Sequence, residues 1–87
     1  MNVDDLIKLG QEVLGYGSPV VSNDSFIGRH WFLSKPENNF SLFVEINKDS
    51  FWVEVNGTSH GVEFLNQDYI LLAKELLLLS YRTYTRQ

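Results

Sequence analysis

The chain has 87 residues, a formal net charge of −4 and no cysteine, which leaves room for one small core and removes disulfides, thiolate nucleophiles and thiolate metal sites. Its 44% hydrophobic and 21% charged residues match a folded globular domain rather than a disordered segment, and its 7 Lys and Arg are scattered, which opposes binding to phosphate backbones. The opening Met1-Asn2-Val3-Asp4-Asp5 lacks the basic and apolar regions of a secretory leader, and the apolar stretch 69–79 is interrupted by Lys74 and Glu75 and is shorter than the roughly 20 residues of a membrane span. A single cytoplasmic domain over 1–87, with no membrane partner, is expected.

Asn2 is placed to cap a first helix, with Asp4 and Asp5 in its first turn and Val3, Leu6, Ile7, Val13 and Leu14 at helical spacing. Gly15 and Gly17 end it. Residues 18–25 combine a proline with Asn23-Asp24 and predict a loop, with a short edge strand at Val20 and Val21. From Phe26 the pattern alternates: strands over 26–34, 40–46 and 51–55, with turns at 35–39 and 47–50. Pairing Ile46 with Phe51, Val44 with Val53 and Leu42 with Val55 builds a core face and leaves Phe43, Glu45, Trp52 and Glu54 on the other.

Asn56-Gly57 supplies the positive φ that a type I′ hairpin turn needs, so 58–64 reads as a fourth strand, with an irregular loop as the alternative. It would set Val53 opposite His60, Phe51 opposite Val62 and Trp52 opposite Gly61, where an indole covers bare backbone. Asn66 then caps a long helix running to about Tyr84, with Leu65 placed to staple onto Ile70. Apolar residues wrap most of this helix, leaving a polar stripe through Asp68, Glu75 and Arg82 flanked by Leu71 and Leu78. A helix so apolar calls for cover on more than one side, which marks Leu71 and Leu78 as a candidate homodimer interface.

The first strand admits two registers. Pairing Trp31 with Phe43 and Arg29 with Glu45 makes an aromatic pair and an ion pair, and turns Gly28, His30 and Phe32 inward. The competing register buries Ile27, Trp31 and Leu33 but also Arg29, a charge that then needs a partner. The first is the expected one. It makes Arg29, Trp31, Phe43, Glu45, Trp52 and Glu54 an outward aromatic face ringed by charge, the composition of a protein-binding surface; cover by 18–25 is the alternative.

Chemistry finds little support. His30 and His60 are the only groups that titrate near neutrality when unperturbed, and neither stands in a metal-ligand spacing or beside an activated serine. Gly15-Tyr16-Gly17 closes a helix, whereas phosphate-binding turns open one. Glu45 and Glu54 share an open surface rather than a cleft. The Asn-x-Ser/Thr triplets at Asn23, Asn39 and Asn56 match a short pattern without an export signal. No cofactor, metal or catalytic residue is expected.

These elements give an α+β domain: an N-terminal helix, a three- to four-stranded antiparallel meander and a long C-terminal helix, with both helices on one sheet face. With three strands the order resembles, in topology only, the double-stranded RNA-binding domain, which contacts phosphates with basic residues at the start of its last helix. Those positions here read Asn66-Gln67-Asp68, so RNA binding is not expected. The favoured function is a non-enzymatic intracellular protein-binding module, an inhibitor, adaptor or small accessory subunit of bacterial or phage type. The alternatives are a homodimeric assembly protein and a nucleic-acid binder using Tyr81-Arg82-Thr83-Tyr84-Thr85-Arg86.

Overall fold

Asn2 does begin the first helix, and by two bonds rather than one: its side chain accepts from the Asp5 amide at 2.9 Å while the Asp5 carboxylate accepts from the Asn2 amide at 3.1 Å. This reciprocal capping satisfies amides that the first turn leaves without helical partners. The computed structural model describes residues 1–15 and 29–87. Within them α1 (Val3–Val13) is followed by β1 (Arg29–Lys35), a short 3₁₀ turn (Pro36–Asn38), β2 (Phe40–Ile46), β3 (Ser50–Val55), β4 (Thr58–Glu63) and α2 (Gln67–Thr85). The expected loop over 18–25, the edge strand at Val20 and Val21, the stop at Gly17 and the strand residues 26–28 lie outside the described residues.

The strands form one antiparallel sheet in the order β1-β2-β3-β4. The fourth strand separates the fold from the three-stranded order of the double-stranded RNA-binding domain. Two registers follow the local rules. Ile46 pairs with Phe51, Val44 with Val53 and Leu42 with Val55, and Phe51 pairs with Val62, Trp52 with Gly61 and Val53 with His60. The β3–β4 turn has φ of 51° at Asn56 and 85° at Gly57, the backbone that Asn-Gly favours. The Asn56 side chain also accepts from the Ser41 amide at 2.8 Å, tying this turn to β2.

The β1–β2 register corrects the expected one. Trp31 pairs with Val44, Phe32 with Phe43 and Leu33 with Leu42. Lys35 pairs with Phe40 because Asn39, at φ 53°, closes the connection over 36–39, one residue shorter than a turn spanning 35–39. A one-residue slip exchanges the two faces of a strand. Trp31 is therefore core, 1% exposed, and Arg29 lies on the same side opposite Ile46, half-buried, with no pairing to Glu45. The Arg29 Nε is buried without a hydrogen-bond partner among the described residues. Burial decides the register: the observed one buries Trp31 and Leu33 where the other would bury His30 and Phe32, and an extra leucine-sized apolar side chain gains about 1.5–3 kcal/mol on burial, whereas an exposed ion pair contributes at most about 1 kcal/mol.

The core joins Leu6 and Leu14 of α1 and its C-cap, Trp31, Leu33, Leu42, Val44, Ile46, Phe51 and Val53 of the sheet, and Ala73 and Leu77 of α2. Gly10 lies between Leu6 and Leu14 on the buried stripe of α1, and the Trp31 indole rests on it. A Cβ at Gly10 would stand 2.7 Å from the ring. At the far end, α2 is fixed by Tyr84, whose ring packs 6.2 Å from Phe40 and lies 4.6 Å beneath the Lys35 ammonium. Asn66 caps α2 by accepting from the Asp68 amide at 2.9 Å, while Leu65 stays 71% exposed, so the expected staple onto Ile70 buries little. No helix among the described residues is long and apolar enough to cross a membrane.

Candidate functional site

Both helices pack on one face of the sheet, and among the described residues no helix or strand packs on the other. The period of 2 along each strand and the three registers place side chains there in rows. Phe32, Phe43, Glu54 and Ser59 make one row, and His30, Glu45, Trp52 and Gly61 the next. Of the residues expected on this face, Phe43, Glu45, Trp52 and Glu54 are present, and Arg29 and Trp31 are replaced by His30 and Phe32.

The aromatic groups are held by neighbours. The His30 and Phe43 rings sit 5.6 Å apart at 34°, a tilted arrangement within the favourable range for ring pairs. The Trp52 Nε1 donates to Glu54 Oε1 at 3.0 Å, and the indole covers Gly61 so closely that a Cβ there would lie 2.9 Å from the ring. Glu45 accepts from the Asn47 amide nitrogen at 2.9 Å. Phe32 is 58% and Trp52 39% exposed, so both rings present apolar surface to solvent, and the Trp52 indole is held by Glu54 and the Gly61 backbone.

The face carries three carboxylates, Glu45, Glu54 and Glu63, on β2, β3 and β4. With Arg29 on the other side, His30 is its sole cation-forming group among the described residues, and the field over the aromatics is negative. A shallow depression of about 480 Å³ runs beside Trp52, lined by Ser50, Gly61 and Glu63 among others. This is an open, aromatic and acidic surface. Such geometry supports contact with a large partner better than enclosure of a small substrate.

The remaining candidates are dispersed. His60 stands on the helix side of β4, where it lines a groove of about 440 Å³ with Val53, Val62, Leu72, Leu76 and Leu79. It is a full sheet thickness away from His30, and no group of three His, Asp or Glu residues among the described residues could hold a metal. Gly15 follows the C-cap of α1 as a helix stop. Leu71 is 44% exposed and Leu78 half-buried. Tyr81 and Tyr84 are both half-buried, the latter engaged by Phe40 and Lys35, which leaves little ring surface at this helix end for stacking on bases.

Sequence reasoning missed Phe32, His30 and the role of Gly10. One signal was available: Leu6, Gly10 and Leu14 recur every four residues on one helix face, and a glycine inside an apolar stripe marks the place where a large side chain packs. Comparison with protein-family models, with curated proteins and with solved structures gives no match.

Proposed function

We propose that this chain is a non-enzymatic protein-binding module, acting in the cytoplasm as an inhibitor, adaptor or small accessory subunit, and that it engages its partner with the outer sheet face. The reading rests on one observation: Phe32 and Trp52 stand 58% and 39% exposed on a face whose other aromatic, Phe43, is packed beside His30. Fixed aromatic side chains give a large contact area for little loss of side-chain freedom, which is why they anchor interfaces. Glu45, Glu54 and Glu63 select for a partner surface carrying Lys or Arg around an apolar centre, and the net charge of −4 steers association toward basic proteins.

The test is quantitative capture from cell extract on immobilised wild-type chain, a Phe32→Ala/Trp52→Ala chain and a Glu37→Ala chain, with captured proteins identified by mass spectrometry. A partner that the wild type and Glu37→Ala retain and the double variant loses supports the reading. The expected loss is about 2 kcal/mol or more, roughly 30-fold in affinity. A partner captured equally by all three chains would place the binding surface elsewhere.

A further inference from the structure

A second apolar surface lies on the opposite side of the molecule, along the flank of α2 that overhangs β4. Tyr69, Leu72, Leu76, Leu79 and Thr83 recur at alternating spacings of three and four residues, the heptad pattern that keeps one stripe facing a neighbouring helix. This stripe is separate from the inner one of Ala73, Leu77 and Ser80 that packs on the sheet. Leu72 is 47% and Leu79 57% exposed, and with Leu76 they wall the 440 Å³ groove beside Val53 and His60. The helix therefore has two apolar faces, and one has no partner among the described residues.

We propose that this seam joins two copies of the chain through antiparallel α2 helices related by a two-fold axis near Glu75. The charges beside the seam choose both the occupant and the direction. Asp68, Glu75 and Arg82 are seven residues apart along its edge and all exposed. Antiparallel pairing about Glu75 sets Asp68 of each copy beside Arg82 of the other, forming the same ion pair twice, and layers Tyr69 against Leu79 and Leu72 against Leu76. Parallel pairing would set Asp68, Glu75 and Arg82 of one copy beside Ala73, Ser80 and Gln87 of the other, where no ion pair forms. Antiparallel alignment also opposes the helix dipoles favourably. Glu75 meets its own copy near the axis, a like-charge contact that weakens the dimer and gives the arrangement a signature.

The seam lies across the polar stripe from Leu71 and Leu78. It leaves both outer sheet faces open, so the dimer would be bivalent for the partner proposed above, although the seam does not depend on that reading. Nineteen helical residues span about 28 Å, which gives a footprint smaller than the ~800 Å² per partner of a standard interface. Association is accordingly in the micromolar range.

Sedimentation velocity from about 1 to about 300 µM tests this on the full chain. The wild type should move from 10.1 kDa toward twice that mass. Leu72→Glu should raise the dissociation constant more than about tenfold, and Asp68→Arg roughly three- to tenfold. The charge-swapped Asp68→Arg/Arg82→Asp chain should recover wild-type association, and Glu75→Gln should tighten it by roughly two- to threefold. All these positions are exposed, and thermal melts of each variant verify the fold. A chain that is monomeric throughout, a dimer broken by Leu71→Glu but not by Leu72→Glu, or a charge swap that fails to restore association would each overturn the proposal.

Discussion

The two tryptophans provide an internal comparison, because the same truncation has different costs on the two sides of one sheet. Trp31 is 1% exposed and lies between Gly10 and the sheet; Trp52 is 39% exposed over Gly61. Taking about 200 Å² for an indole-bearing side chain and about 25 cal/mol per Å², full burial contributes about 5 kcal/mol, and a denatured chain that already shields 10–40% lowers this to about 3–4.5 kcal/mol. Trp31→Ala also leaves a closed cavity, so about 3–5 kcal/mol is expected. Trp52 is covered over about three-fifths of its surface, and its removal opens to solvent rather than leaving a void, so the same accounting gives about 2 kcal/mol. A domain of this size is stable by only about 4–13 kcal/mol. Trp31→Ala should lower Tm by about 12–30 °C and Trp52→Ala by about half that. Urea unfolding followed by circular dichroism measures both. Equal losses would refute the assignment of the two faces, as would a larger loss for Trp52→Ala.

Two further substitutions probe local geometry. Gly10→Ala should destabilise the chain by about 1–2 kcal/mol even though alanine is the better helix former by about 1 kcal/mol, because the added methyl overlaps the Trp31 ring; the same substitution in a Trp31→Leu background should be neutral or stabilising, and a melting comparison of the four chains checks it. Gly57→Ala, at φ 85° with open space around the Cβ position, should cost about 1–2 kcal/mol through backbone strain alone, and a chain that melts like wild type would contradict the type I′ turn.

Short-range chemistry carries much of the architecture, and for that reason much of it was legible in the sequence. Asn2 and Asn66 mark both helix starts because capping needs a side chain within three residues. Asn56-Gly57 fixes the β3–β4 turn, and with alternating Leu42, Val44, Ile46, Phe51 and Val53 it fixes two registers, since one slip would turn the apolar side chains of a whole strand into water. From these follow the placement of Phe43, Glu45, Trp52 and Glu54 on one face and the approach of Trp52 to Gly61. The β1 register was decided by tertiary structure. Locally, an Arg29–Glu45 pair and a Trp31–Phe43 pair compete with the burial of Trp31 and Leu33, and the balance turns on whether a surface exists to receive an indole. That surface is Gly10 of α1, distant in sequence, together with the left-handed Asn39 that shortens the connection. The same holds for α2, whose sequence is apolar nearly all round. Only its docking on the sheet, with α1 along one side, determines that Ala73 and Leu77 are covered and that Leu72 and Leu79 face outward over β4.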